Sequence, residues 1–147
     1  LLEAGCPVVV LKMGDDGIYL RSTSEPERLQ MLAHATGIRA NAWQGRELMT
    51  SCFEVDVVGT TGSGDCTIAG FLAELYQGSS PEEAVGMATA VGACSVEAPD
   101  ATGGVRTRKE TLERLSAGWK KLPNCPADGW QWQEKQKVWV SPADVMV

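Results

Sequence analysis

The stretch 59–72, GTTGSGDCTIAGFL, carries the strongest local pattern in the chain. Three glycines, two threonines and a serine fill its first six positions, and Asp65 follows at once. Beyond Asp65, apolar residues recur at helical spacing until Gly78. We therefore predict a glycine-rich loop that leads into a helix starting at Asp65 and closed by Gly78.

The predicted loop has the chemistry of an anion site. Backbone N–H groups at the start of a helix have no acceptor within the helix, and the helix dipole adds partial positive charge. Because glycine lets a ligand approach the backbone closely, we expect Gly62, Ser63 and Gly64 to bind an anion. Two common nucleotide loops do not fit, since Gly64 precedes Asp rather than Lys and the third glycine of GxGxxG is absent.

Asp65 needs a separate explanation, because a carboxylate repels an anion bound beside it. In phosphoryl transfer an Asp can accept the proton of the attacking hydroxyl while the backbone amides bind the phosphoryl group. Asp65 would then accept the proton of the hydroxyl, and the loop would bind the phosphoryl group. The residues alone leave a structural interpretation equally open, because Asp is common at helix starts and Gly-Thr-Thr-Gly is a good turn.

Upstream of the loop the pattern indicates strands. A β-branched run predicts a buried strand over 8–11, followed by a tight turn at Gly14–Gly17 and a second strand over 18–21. Alternating apolar residues in FEVDV predict a further strand over 53–57.

Downstream of the loop the pattern indicates helices, with capping boxes at Ser80/Glu83 and Thr107/Glu110. Strands that alternate with helices predict an α/β fold with a mainly parallel sheet flanked by helices. In such folds the ligand site lies at the carboxyl ends of the strands.

The C-terminal tail differs from the rest of the chain. Residues 119–147 hold four of the five tryptophans and three of the seven prolines, and no linker precedes residue 118. We predict one domain over 1–118 and an extension over 119–147 that packs its aromatic side chains on the domain or on a second chain.

Composition argues against several classes of protein. A net charge of −6 and a pI near 4.8 argue against nucleic-acid binding and a polybasic membrane surface. The chain has no apolar run of membrane-spanning length and no signal-peptide pattern. Five cysteines without a CxxC pair, and a single His34, argue against a zinc site. The sequence therefore predicts a cytoplasmic protein with free thiols.

Three segments in this order resemble the ribokinase (PfkB) family of carbohydrate kinases. VVGTTGSGDCTIAGFL is similar to the family's C-terminal signature, and VVVLKMGDDGIYL to its strand-turn-strand. EEAVGMATAVGACSVEAPDATGGV is similar to the Ala-rich helix and loop that follow. The resemblance covers about residues 5–118 and implies a ribokinase-like three-layer fold, of which this chain is the C-terminal, nucleotide-binding half.

The resemblance also implies roles for matching positions. Asp65 matches the general base, and Gly62, Ser63 and Gly64 match the anion hole. The positions that match nucleotide contacts are Lys12, Gly14 and Gly17 at the phosphates and Thr89 beside the adenine. The positions that match a monovalent cation site, for K⁺, are Thr61, Ser95, Ala98, Asp100 and Gly104. Read on their own residues, Lys12 is equally a solvated strand-end lysine and Thr89 a buried helix threonine.

The implied reaction is phosphoryl transfer from ATP, with Mg²⁺, to a hydroxyl of a sugar or related small molecule. Two features depart from the family pattern. Gly59 stands where the family usually has Asp, which weakens the expectation of cation activation although Asp56 is nearby. The family's sugar-binding half precedes the matched region and is expected to be missing, so we expect an exposed sheet edge and self-association.

Three other interpretations stay open at this point. The chain could be a non-catalytic nucleotide-binding module that acts through a partner. It could be an interaction protein with an accidental loop, or a related kinase that acts on a nucleoside or vitamin. The sequence does not identify the hydroxyl substrate.

Overall fold

The computed structural model describes residues 1–124 and 126–145. It contains five strands, five α-helices and one short 3₁₀ turn over Gly14–Asp16. The strands are β1 (Val8–Lys12), β2 (Ile18–Ser22), β3 (Glu47–Thr50), β4 (Gln131–Gln133) and β5 (Val138–Val140). The helices are α1 (Pro26–Thr36), α2 (Ala40–Trp43), α3 (Ser63–Tyr76), α4 (Pro81–Ser95) and α5 (Arg108–Ser116).

The strands form one sheet in the order β1-β2-β3-β5-β4. The α/β class is confirmed, but the predicted parallel direction is wrong, since every pair in the sheet is antiparallel. Short turns join β1 to β2 and β4 to β5, and such connections permit only antiparallel pairing. The longer β2–β3 connection contains two helices and still returns the chain antiparallel.

Strand β1 was predicted to be buried, and this part of the prediction is wrong. The strand exists, but it lies at the edge of the sheet, so its residues are half-buried or exposed and Leu11 is 47% exposed. Its free edge presents unpaired backbone groups. Self-association through that edge stays a prediction.

The core lies on one face of the sheet. Alternate residues of β2, β3 and β5 point into it, as expected for a sheet with one buried face. Its fully buried members include Ile18, Leu20, Leu29, Trp43, Leu48, Val85, Ala88 and Val138. Trp43 packs edge-on against Phe71 of α3, with ring centroids 6.1 Å apart. Helices α2 and α3 therefore contact each other, and α3 and α4 bury side chains in the same core as the strands.

Both predicted capping boxes are confirmed. In α4, Glu83 N–H donates to Ser80 Oγ at 3.3 Å and Ser80 N–H donates to Glu83 Oε2 at 2.8 Å. Thr107 and Glu110 make the same reciprocal pair in α5. Helices α3 and α4 pack closely at Gly70, where the absence of a side chain lets the helices approach. A Cβ added there would lie only 3.0 Å from Val91. This packing sets the first turn of α3 beside the last turns of α4.

The predicted strand over 53–57 is wrong. Within the described residues, this segment makes a single isolated bridge, between Phe53 and Lys121. Phe53 and Val55 pack instead among α4, α5 and Trp119, while Val57 is 62% exposed. The apolar alternation thus comes from packing between helices and not from a sheet.

The C-terminal tail contributes to the sheet. Strand β5 pairs with β3, and Val138 and Val140 enter the core. The division into residues 1–118 and 119–147 stays a prediction. Cys6, Cys52, Cys66 and Cys94 are free thiols, as predicted, and Cys125 lies outside the described residues.

Candidate functional site

The glycine-rich loop ends at Gly62, which caps α3 in a left-handed conformation (φ 76°). The helix begins at Ser63, two residues before the predicted start. Cys66 N–H donates to Gly62 O at 2.9 Å and makes the first bond of the helix. The N–H groups of Gly64 and Asp65 precede that bond and have no acceptor within the helix. The N–H groups of Gly64 and Asp65 are therefore available to an anion at the N-terminal end of α3.

Lys12 lies beside these amides. It is the last residue of β1 and is 52 positions away in the chain, yet a Cβ added at Gly64 would overlap its Nζ atom. Glycine at position 64 therefore makes room for the ammonium group. A full positive charge and helix N-terminal amides meet at one point, which is the chemistry of a phosphate site.

Asp65 follows in the first turn of α3 and is exposed. It is adjacent in sequence to the amides and to the glycine that Lys12 touches. A carboxylate at this position can accept a proton from a group that approaches the bound anion. The structure thus brings Gly62, Ser63, Gly64, Asp65 and Lys12 together.

The Gly14–Gly17 turn extends the site along the end of the sheet. Gly14 and Gly17 both have positive φ angles (61° and 91°), which only glycine adopts readily. A Cβ at Gly17 would fall 2.8 Å from Ser51 Cα, so the turn packs directly on the end of β3. Met13 N–H donates to Gly17 O at 2.9 Å and closes the turn.

The loop over 96–104 crosses the other side of the glycine-rich loop. Cys66 Sγ donates to Ala101 O at 3.1 Å, and a Cβ at Gly62 would lie 2.7 Å from Ala101 Cβ. The carbonyl oxygens of Ala98 and Pro99 face Gly59, 2.9 and 3.0 Å from the position of an added Cβ. An Asp at position 59 would therefore require these carbonyls to move.

The predicted cation positions fall on or beside this loop. Thr61 is exposed, and Gly104 packs on the carbonyl end of α4 with its Cβ position 3.0 Å from Ser95 O. Two of the predicted side chains are already engaged. Ser95 Oγ donates to Gly92 O at 2.7 Å, and the Asp100 carboxylate accepts the N–H groups of Thr102 and Gly103. The candidate cation ligands at this loop are therefore mainly backbone carbonyl oxygens, such as those of Ala98 and Pro99.

Thr89 does not join the site through its hydroxyl group. It is 3% exposed in the middle of α4. Its Oγ1 donates to the carbonyl oxygens of Val85 and Gly86, both at 3.0 Å. A helix threonine that bonds its own backbone fits this geometry.

An open cleft of about 1260 Å³ lies between α4 and the segment after α5. Its walls include Phe53, Met87, Trp119 and Lys121, and Ser51 connects it to the Gly14–Gly17 turn. Trp119 stacks on Phe53 with ring centroids 4.4 Å apart. Sequence reasoning missed this cleft, and the tryptophan-rich tail was the one signal that pointed to it.

Lys121 is a half-buried basic residue in the wall of the cleft. Its Nζ donates to Thr50 Oγ1 at 2.7 Å and to Ser51 O at 2.8 Å, and it lies 4.0 Å from the centroid of the Phe53 ring. Burial lowers the pKa of Lys121 to about 7, although the nearby Cys52 acts in the opposite direction. The amine thus titrates near neutral pH.

The described residues contain no group of three or more His, Cys, Asp or Glu side chains that could hold a metal ion. Each helix within 1–124 and 126–145 is too short or too polar to span a bilayer.

Comparisons with known proteins identify the family of the chain. A family model described as pfkB family carbohydrate kinase matches residues 1–108. Ribokinase of Bacillus subtilis (strain 168) is 35% identical over 91 residues, which are 62% of this chain and 31% of that protein.

Two solved structures share the fold. The crystal structure of ribokinase from Thermotoga maritima has a TM-score of 0.58 at 30% identity, covering 78% of this chain and 32% of that one. Aminoimidazole riboside kinase from Salmonella enterica, solved with aminoimidazole riboside and an ATP analog, has a TM-score of 0.54 at 27% identity, covering 78% and 33%.

The chain spans about a third of the length of these relatives. The family match nevertheless extends over far more than half of the chain and includes the glycine-rich loop, the Gly14–Gly17 turn and α4. This chain belongs to the pfkB family of carbohydrate kinases.

Proposed function

We propose that the chain is the nucleotide-binding part of a kinase that transfers a phosphoryl group from ATP to a hydroxyl of a sugar or related small molecule. The observation that carries this proposal is the meeting of Lys12 with the first turn of α3, directly beside Asp65. A cation and backbone amides suit the transferred phosphoryl group, and the carboxylate suits the hydroxyl that attacks it.

The chemical step uses these groups in two roles. The acceptor oxygen forms a bond to the terminal phosphorus of ATP as the bond from that phosphorus to the ADP oxygen breaks. The hydroxyl proton passes to the Asp65 carboxylate, and the bonding electron pair leaves with ADP. The amides of Gly64 and Asp65, with the Lys12 ammonium, stabilise the negative charge on the phosphoryl oxygens.

The Gly14–Gly17 turn is the proposed contact for the remaining phosphates. It lies next to Lys12 in the chain and packs on Ser51, at the margin of the aromatic cleft. The related Salmonella kinase was solved with an ATP analog. Thr89 is proposed to stay near the adenine as part of the helix wall, because its hydroxyl bonds to its own helix.

The oxygen atoms that the chain offers as metal ligands indicate how it would hold the proposed Mg²⁺ and K⁺ ions. Mg²⁺ is commonly held by one or two carboxylates together with the substrate's phosphates. The described residues contain no larger acidic cluster that could hold a metal ion by itself. The residues present therefore fit an Mg²⁺ ion that arrives bound to ATP. When bound, Mg²⁺ would neutralise phosphate charge. The carbonyl-rich loop over 96–104 fits K⁺, which carbonyl oxygens coordinate well. Its proposed ligands come from Thr61, Ser95, Ala98, Asp100 and Gly104.

The acceptor substrate belongs to a part of the kinase outside this chain. The chain spans about a third of its relatives, so a complete active site is proposed to need the remaining part. We further propose a cytoplasmic protein whose ligands are small molecules and not nucleic acid or membrane, on the basis of its acidic composition.

A second candidate function is a non-catalytic nucleotide-binding module that acts through a partner. Gly59 favours this second function. The family pattern usually has an Asp at this position, but here the carbonyl oxygens of Ala98 and Pro99 leave no room for its side chain. Such a module would bind ATP without transferring phosphoryl groups, even after the upstream coding sequence is restored.

Replacing Asp65 with Asn tests the catalytic assignment in a chain extended to full length. Turnover should fall by a factor of about 10² to 10⁴, because a general base contributes on this order, while the dissociation constant for ATP stays near the original value. Asp128→Asn, at an exposed position in the tail, is the matched control and should change neither quantity. Near-normal turnover in Asp65→Asn would contradict the role of Asp65.

A further inference from the structure

The segment 119–124 lies beyond the stretch that matches the family model, yet it touches the proposed nucleotide site. It runs alongside residues 52–54. Glu54 N–H donates to Lys120 O and Leu122 N–H donates to Cys52 O, both at 2.8 Å. Trp119 Nε1 adds a bond to Glu54 O at 2.8 Å. The segment therefore runs antiparallel to residues 52–54 and is joined to them by one isolated bridge, just beyond the end of β3.

Lys121 fastens this segment to the surface beneath the Gly14–Gly17 turn. Its ammonium group donates to Thr50 Oγ1 and Ser51 O. The same two residues, Thr50 and Ser51, form the surface against which Gly17 packs, with no room for a side chain. Any shift of residues 50–51 would therefore shift the turn.

Asn124 reaches the turn itself. Its Nδ2 donates to Asp16 O at 2.9 Å, and its backbone oxygen accepts Trp139 Nε1 at 3.1 Å. Asn124 thus joins the turn to strand β5. The Asp16 carbonyl belongs to the 3₁₀ turn Gly14–Asp16, which is part of the proposed contact for the ATP phosphates.

We propose that segment 119–124 positions the phosphate-contacting turn, with Asn124 as the residue that holds Asp16 in place. The inference rests on the proposed nucleotide site and assigns part of its affinity to the C-terminal tail. Asn124 acts through the turn and is a positioning residue. Its loss removes one of the contacts that hold the turn, so the turn becomes more mobile, ATP must order it on binding, and ATP binds more weakly.

The test uses the 147-residue chain and isothermal titration with MgATP, MgADP and adenosine. Asn124→Ala should raise the dissociation constants for MgATP and MgADP about fivefold, the scale of one neutral hydrogen bond. Adenosine, which lacks phosphates, should bind as before. Asn124→Asp, which has the same shape without the N–H donor, should weaken MgATP binding at least as much. Asn41→Ala, at the other asparagine of the chain, is exposed in α2 and should change nothing.

A second readout follows the turn without any ligand. Hydrogen exchange at the amides of Met13 and Gly17, which close the turn, should speed up severalfold in Asn124→Ala and not in Asn41→Ala. Equal MgATP affinity in wild type and Asn124→Ala, or an equal loss for adenosine, would overturn the inference alone. Absence of MgATP binding by the wild-type chain would overturn the proposed function and this inference together.

Discussion

The start of α3 and the C-terminal tail are held by opposite kinds of contact. At the start of α3, Ser63 N–H bonds to Thr60 O and Cys66 N–H to Gly62 O, over three and four positions. In the tail, the Lys121–Thr50 bond spans 71 positions and the Asn124–Asp16 bond spans 108. The hydrogen bonds that begin α3 are therefore local, although Ala101 and Lys12 also pack on the glycine-rich loop. The Gly14–Gly17 turn, in contrast, is held by a residue near the far end of the chain.

Deleting residues 119–147 should have the largest effect on stability, because it removes all of the long-range contacts that the tail makes. Val138 and Val140 leave the core, which costs about 3–6 kcal/mol at the usual value for buried valines. That loss alone reaches the lower end of the roughly 5–15 kcal/mol by which a typical domain is stable, and the loss of β5 and the Arg46–Asp144 contact adds to it. Circular dichroism during urea unfolding should show no cooperative transition. A cooperative transition near the wild-type midpoint would instead support an independent domain over 1–118.

A single buried contact of the tail should have the next largest effect. The Asp144 carboxylate is fully buried and accepts Arg46 Nε at 3.0 Å and Glu47 N–H at 2.8 Å. Asp144→Asn should lower the free energy of unfolding by about 1.5–3 kcal/mol, because it weakens the bonds from Arg46 and Glu47 to a charged acceptor while Arg46 keeps its ion pair with Glu82.

The matched control for Asp144 lies on α5, where Glu113 is 65% exposed and pairs with Lys109 at 3.9 Å. Glu113→Gln should cost less than about 0.5 kcal/mol. Urea unfolding measures both changes. Equal small effects for the two variants would mean that the Arg46–Asp144 contact does not anchor the tail.

Lys121 makes the stability of the tail depend on pH. Its pKa is about 7 in the folded chain, well below the roughly 10.4 of an unfolded lysine. Above pH 7 the unfolded chain therefore binds one more proton than the folded chain, so the free energy of unfolding rises with pH. From pH 7 to 8.5 the rise should be about 1.5–2 kcal/mol.

The measurement for Lys121 is urea unfolding of wild type and Lys121→Met between pH 6 and 8.5. The window stops there because burial raises the pKa of the Cys52 thiol over its usual value, which makes the free energy of unfolding fall as pH rises further. The free energy of unfolding of wild type, taken relative to that of Lys121→Met, should rise with pH. Parallel curves would show that the Lys121 amine keeps an ordinary pKa.

The contrast between the two regions also explains which features could be predicted from sequence. The capping boxes at Ser80 and Thr107 and the Gly14–Gly17 turn involve neighbours within four residues, so local residue types reveal them. The role of Lys12 was suggested only by the family resemblance, since nothing local indicates contact with Gly64.

The errors have physical causes of the same kind. The run over 53–57 alternates like a strand, but its apolar side chains pack between α4 and α5. Strand direction depends on where the β2–β3 connection returns, which local pattern does not encode. The cleft beside Lys121 forms only when segment 119–124 meets residues 50–54, so no stretch of sequence contains it.

The most direct measurement is thermal unfolding of the chain with and without MgATP, in wild type, Gly64→Val and Ala73→Val. At 100 times its dissociation constant, MgATP should stabilise wild type by about 2.7 kcal/mol, which is about 5–10 °C for a chain of this length. Gly64→Val should abolish the shift, because its side chain would displace Lys12 Nζ. Ala73→Val, exposed on the same helix, should keep it. An equal shift in Gly64→Val and wild type, or none in wild type, would contradict the nucleotide site proposed at the start of α3.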